Sequence, residues 1–138
     1  MFPDYEFKVF PVETCPLNKE DWNNSSARLN CNSTRLYYCL PNRDLTSLIE
    51  FCYPRGKRQL FMAGNCLELA GAGYLNHFSC NDTFLSGCPD TFYYGDEIFK
   101  YPKCLAINVN LRCFDSDTQC IKSRLVDLFT LCYTNSFT

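Results

Sequence analysis

The chain has 138 residues, of which 46% are hydrophobic and 16% aromatic, and its 13 Lys+Arg against 15 Asp+Glu give a net charge of −2. That balance lacks the basic excess that a nucleic-acid-binding surface needs, and no run of apolar residues is long enough to span a membrane. The length fits one domain over residues 1–138 with a moderate core of its own.

In chain order, Met1-Phe2-Pro3-Asp4 has neither the charged nor the apolar region of a signal peptide, so a secreted chain with this start is expected to have lost its signal. Residues 4–14 alternate weakly through Tyr5, Phe7 and Val9 and are expected to form an edge strand. Asn18 followed by Asp21 is an N-cap signature for a helix over 19–29 carrying Trp22. Leu36 to Leu40 is a short strand turned by Pro41-Asn42. Asp44 is then expected to cap a helix, because Leu45, Leu48, Ile49 and Cys52 fall at i, i+3, i+4 and i+7. Residues 54–58 form a basic turn, Leu60-Phe61-Met62 and Cys66 to Leu69 two short strands or one broken strand, and Gly71-Ala72-Gly73 a flexible hinge or tight turn. A helical turn is expected at 83–85 and another at 97–100, the latter ended by Pro102. The alternation from Leu105 to Leu111 marks the best strand. Asp117 caps a last helix over about 117–132, with Ile121, Leu125, Leu128, Phe129 and Cys132 in one apolar stripe opposite Lys122, Arg124 and Asp127. The sum is an α+β disulfide-rich domain with about three helices and several short strands.

Eleven cysteines dominate the chemistry. They lie seven to sixteen residues apart with no Cys-x-x-Cys, and His77 is the single histidine. Structural zinc favours close cysteine pairs, whereas this spread suits loop-closing disulfides in an oxidising compartment. No metal or cofactor is implied. The expected bridging set is Cys15, Cys31, Cys39, Cys52, Cys66, Cys80, Cys88, Cys104, Cys113 and Cys120, in a connectivity that spacing leaves open. Cys132 is the odd one, either a buried thiol or the link to a second copy in a disulfide-bonded homodimer. Sequons at Asn23, Asn24, Asn32 and Asn81 are a second extracellular signal, as candidate N-glycosylation sites on exposed turns or helix ends.

The strings Cys31-Asn32-Ser33-Thr34-Arg35-Leu36-Tyr37-Tyr38-Cys39 and Cys80-Asn81-Asp82-Thr83-Phe84-Leu85-Ser86-Gly87-Cys88 share the pattern Cys-Asn-x-Thr-x-Leu-x-x-Cys. They read as coincidence at this cysteine density, with duplication as the alternative. No catalytic constellation stands out. His77 has no nucleophile motif beside it. Glu20, Glu50, Glu68 and Glu97 are carboxylates that the sequence does not pair. Asp115-Ser116-Asp117 with Asp44 or Asp90 falls short of a calcium loop. Arg55-Gly56-Lys57-Arg58 matches a processing-protease site but reads better as a solvated turn. Tyr37-Tyr38 and Tyr93-Tyr94 are neighbouring rings, which on strands face opposite ways. One ring of each pair is therefore expected near solvent as a recognition surface.

Several strings together carry a resemblance: Cys15-Pro16, Trp22, Tyr38-Cys39-Leu40-Pro41-Asn42, Glu50-Phe51-Cys52-Tyr53, Gly87-Cys88-Pro89, Lys100-Tyr101-Pro102 before Cys104, and Cys113-Phe114 with Cys120. The set resembles a cysteine-rich extracellular module found in bivalve mollusc proteins, in many of which a single membrane span follows. It covers about residues 15–120 and leaves Cys132 and the basic turn outside the pattern. The resemblance implies a secreted or membrane-anchored ectodomain and carries no catalytic residues. The expected function is non-catalytic recognition or adhesion toward an extracellular protein or glycan. The alternatives are a small secreted enzyme or inhibitor, and a cross-linked matrix component.

Overall fold

A computed structural model describes residues 5–135 of the chain. The first half builds a three-stranded antiparallel sheet. Strand β1 (Phe10–Val12) is its edge, and helix α1 (Lys19–Arg28) then crosses one face. Strands β2 (Arg35–Pro41) and β3 (Leu48–Pro54) complete it in the order β1-β3-β2. Register places Tyr38 opposite Phe51, Leu40 opposite Ile49 and Leu36 opposite Tyr53. That alternate set turns to one face and packs with Phe7 and the second half of the chain. Tyr37, Cys39, Glu50 and Cys52 occupy the other face, under α1. Two disulfides fasten α1 there. Cys15, just before the helix, joins Cys39 of β2, and Cys31, just after it, joins Cys52 of β3. The helix starts as its sequence dictates, with Asn18 Oδ1 accepting from the Asp21 backbone N–H at 2.8 Å.

The segment expected as a helix from Asp44 to Cys52 is instead a turn that leads into strand β3 at Leu48. Apolar residues fall on both faces of this strand because both faces of the sheet are covered, with Glu50 the one charged residue among them, and such a run matches helical and buried-strand spacing alike. Asn42 decides the outcome locally. Its Oδ1 accepts from the backbone N–H groups of Thr46 and Ser47, at 2.9 and 3.2 Å, and Leu45 adopts φ 55°. This makes a turn that feeds an antiparallel strand.

The second half is a set of two-stranded pairs. Strand β4 (Leu60–Phe61) pairs with β7 (Tyr93–Tyr94), β5 (Asn65–Ala70) forms a hairpin with β6 (Tyr74–Ser79), and β8 (Ile107–Asn108) pairs with β9 (Cys113–Phe114). Short 3-10 turns occupy Arg55–Lys57, Gly95–Lys100 and Pro102–Leu105. The hairpin turns through Gly71-Ala72-Gly73, as expected. The long strand expected over 105–111 is cut to two residues. Asn108 Oδ1 accepts from Leu111 N–H at 2.9 Å and Arg112 takes φ 54°, so the chain doubles back. Residues 83–85 form no helix, and Phe84 instead bridges to Asp117.

Helix α2 (Thr118–Asn135) is capped by Asp117, whose Oδ1 accepts from Gln119 N–H at 2.8 Å. Its first turn is held by the Cys113–Cys120 disulfide. On the apolar stripe of this helix, Leu125, Leu128 and Phe129 are exposed. The remaining bridges are Cys66–Cys104 and Cys80–Cys88. The five disulfides thus use the ten cysteines from Cys15 to Cys120, and Cys132 lies exposed on α2. The two similar cysteine strings are not equivalent. Cys80 and Cys88 join each other, whereas Cys31 and Cys39 each join a cysteine outside their string. The result is an α+β, disulfide-rich fold, and none of its described helices is long and apolar enough to cross a membrane.

Candidate binding cleft

Three elements that are distant in sequence enclose a cleft of about 590 Å³. Helix α1 supplies Lys19, Trp22 and Asn23, strand β2 supplies Tyr37, and the turn Gly95–Lys100 supplies Asp96, Glu97, Phe99 and Lys100. Arg58 reaches in from the end of the basic turn. Part of its lining is aromatic. The Trp22 ring stands edge-on to Tyr37 with centroids 4.9 Å apart, and Phe99 lies 5.3 Å from Trp22. Trp22 is the one buried residue of α1, so the ring that anchors the helix also shapes the cleft.

The opposite wall is a charge network. Arg58 donates to both carboxylate oxygens of Asp96, at 2.8 and 3.4 Å, and its guanidinium sits 3.6 Å above the Tyr94 ring centroid. Glu97 stands 3.8 Å from the same guanidinium and accepts from Lys100 Nζ. The bond to Asp96 holds Arg58 above its ordinary pKa, and the bond to Glu97 does the same for Lys100. These groups offer donors and acceptors side by side, with the half-buried Phe99 ring for apolar contact.

A second polar cluster lies on the α1 side of the sheet. Glu50 is buried, and its two carboxylate oxygens each accept from Arg28 Nη2 at 2.8 Å. The Tyr37 hydroxyl donates to Glu50 at 2.6 Å. This network fixes Tyr37 and therefore the cleft wall.

The tyrosines expected near solvent are placed otherwise. Tyr37, Tyr38 and Tyr93 are buried, and Tyr94 is half-buried beneath Arg58. The expectation failed because β2 is covered on both faces, by α1 on one and by β5 on the other. Of the four, Tyr37 lines the cleft. The sequons Asn23, Asn24, Asn32 and Asn81 are all exposed, and Asn23 and Asn32 stand at the cleft. Asn32 Oδ1 accepts from Thr34 N–H, Thr34 Oγ1 and Arg35 N–H. The acids considered for catalysis are dispersed. Glu20 is exposed on α1, Glu50 is locked to Arg28, Glu68 accepts from Asn76 at 2.8 Å, and Glu97 stands in the cleft. Asp117 is a helix cap and Asp115 faces Arg124 at 3.9 Å. His77 is exposed on β6. Sequence reasoning missed Lys19, Arg58, Asp96 and Phe99 as partners, because no local spacing signals residues that meet only through tertiary packing. No protein-family model, curated protein or solved structure matches the chain.

Proposed function

We propose that this chain is a disulfide-stapled extracellular recognition module, non-catalytic, that binds a protein or glycan partner in the cleft between α1 and the turn Gly95–Lys100. The observation that carries this reading is the cleft itself, with its aromatic wall and its rim of both charge signs. The half-buried Phe99 ring beside paired hydrogen-bonding groups suits a sugar ring or a polar peptide segment. Five disulfides support an oxidising compartment. Exposed sequons fit passage through a glycosylating pathway. The stapled walls favour a preformed site, which lowers the ordering cost of binding.

The test is a glycan array and an extracellular-protein pull-down run with the wild type and with a Lys19→Glu, Lys100→Glu double variant. A ligand of this cleft loses about tenfold or more in affinity with the variant, a difference of about 1.4 kcal/mol. Equal binding by both proteins would remove the cleft from the account.

A further inference from the structure

Two disulfides meet inside the second half of the chain. The Sγ atoms of Cys66, Cys80 and Cys104 lie within 4.8 Å of one another, and all three residues are buried. They belong to different bridges, Cys66–Cys104 and Cys80–Cys88. The hairpin imposes this meeting. Cys66 stands opposite Phe78, and the Cys80 N–H donates to Gly64 O at 2.8 Å, so Cys66 and Cys80 sit diagonally across one end of the β5–β6 ladder. Cys104 arrives from the turn Pro102–Leu105. Among the described residues this is the one such cluster of three sulfurs. The fourth sulfur belongs to Cys88, which is half-buried and closes a loop whose residues 81–83 and 85–87 are exposed.

We propose that Cys80–Cys88 is a thiol-exchange site for small thiols, and that Cys80 passes its opening on to Cys66–Cys104. A low-molecular-weight thiolate attacks Cys88 Sγ, the more accessible end. A new sulfur–sulfur bond forms between reagent and Cys88, the Cys80–Cys88 bond breaks, and its electron pair leaves on Cys80 Sγ. Cys80 then attacks the neighbouring bridge. The Cys80–Cys66 bond forms, the Cys66–Cys104 bond breaks, and the electron pair leaves on Cys104, which takes up a proton. Attack on Cys104 instead releases Cys66 in the same way. No net redox change has occurred at this point: one external thiol has entered and one protein thiol has appeared. A second external thiol can attack the adduct, releasing Cys88 as a thiol and the reagent as its own disulfide, a two-electron reduction of the protein. The proximity of Cys80 makes the second step intramolecular, and exchange between held sulfurs outpaces attack by dilute reagent. Exchange through Cys66 frees Cys104, which lies four residues beyond the cleft wall that ends at Lys100. Chemistry at the loop thereby loosens the segment leading out of the cleft.

The Cys31–Cys52 bridge is an internal control, because both of its residues are half-buried yet it belongs to no such sulfur cluster. The experiment treats the folded full chain with increasing reduced glutathione, quenches with acid, alkylates, and maps linkages by peptide mass spectrometry. The expected map has the glutathione adduct on Cys88 together with Cys80 linked to Cys66 or Cys104. Those linkages should be about tenfold more abundant than any new partner of Cys31 or Cys52. A Cys88→Ser variant generates the Cys80 thiol without reagent, and its alkylation should then fall partly on Cys104 or Cys66. The wild-type titration decides the question even where that variant fails to fold. Cys66–Cys104 surviving as the sole linkage of those two residues after Cys80–Cys88 has opened overturns the proposal. So does a Cys80–Cys88 bridge that resists the thiol while Cys31–Cys52 yields.

Discussion

At the scale of single residues, Glu50 is a buried carboxylate under the strand-covering helix α1. A buried carboxylate is costly unless its charge and lone pairs are met. Here Arg28 meets both oxygens and Tyr37 adds a third bond. The pair is asymmetric in exposure, with 58% of the Arg28 side chain accessible against 4% for Glu50. That asymmetry predicts an inverted mutational order. Arg28→Ala leaves a buried carboxylate with Tyr37 alone and should cost about 3 kcal/mol. Glu50→Gln leaves a guanidinium that water can solvate and an amide oxygen that still accepts from Tyr37, and should cost about 1 kcal/mol. Denaturant midpoints of the two variants check this. A Glu50→Gln variant less stable than Arg28→Ala would mean that the guanidinium, not the carboxylate, depends on the pair. The exposed partner is thus the more sensitive one, which inspection of exposure alone would reverse.

At the scale of elements, the basic turn changes meaning once it is folded. As a string, Arg55-Gly56-Lys57-Arg58 matches a processing-protease site, though it reads better as a solvated turn. In the structure residues 55–57 are a 3-10 turn, and Arg58 is tied to Asp96 and laid over Tyr94. A protease cleft takes its substrate extended, the mode in which a peptide adds as a strand. The folded protein is therefore expected to resist an Arg-x-Lys-Arg-specific protease. Reduced and unfolded protein should be cut after Arg58, and an Asp96→Asn variant should be cut at an intermediate rate, all read by gel. Equal cutting of the folded and reduced forms would place this turn outside the folded frame. The same contrast explains which elements the sequence made legible. Helix α1 and the start of α2 were readable because their caps, Asn18 and Asp117, act over two or three residues. Strand β2 and the glycine turn before Tyr74 were readable from composition and turn chemistry. Strand β3 was misread because burial on both faces erases alternation, and the 105–111 strand because the role of Asn108 as a turn residue is invisible to apolar spacing. The exposure of Leu125, Leu128 and Phe129 was unreadable, since a stripe marks an apolar face but not whether anything covers it. The cleft was the least legible feature. Trp22, Phe99 and Arg58 become neighbours only when two disulfides hold α1 across the sheet.

At the scale of the whole molecule, three of the four tyrosines weighed as recognition rings, Tyr37, Tyr38 and Tyr93, are interior, and this has a consequence in alkali. Burial is the first cause raising the pKa of Tyr37, Tyr38 and Tyr93 far above the usual phenol range. Particular contacts act with it. Ionised Tyr37 would face the Glu50 carboxylate to which it now donates. Ionised Tyr93 would lose its 2.7 Å bond to Asn65 O. The Tyr38 hydroxyl is buried with no hydrogen-bond partner among the described residues, so no hydrogen bond there would stabilise a phenolate, and the Arg58 charge only partly offsets burial. The folded state therefore holds these three protons more tightly than the unfolded chain, whose tyrosines ionise near about pH 10. Their contribution to stability is complete below that pH and is lost as the pH climbs toward the raised folded values. With about 1.4 kcal/mol per pH unit for each group, three together give a slope of about 4 kcal/mol per unit above about pH 10. Against a net stability of about 5–15 kcal/mol, unfolding should set in within a few units and be cooperative. Phenolate absorbance followed alongside circular dichroism is the measurement. Of the nine tyrosines, at least three should ionise only as the dichroism collapses, in one step shared by both signals. Smooth ionisation of all nine with the dichroism unchanged would mean that the rings reach water in the native state, and that disulfides rather than an aromatic interior hold this molecule together.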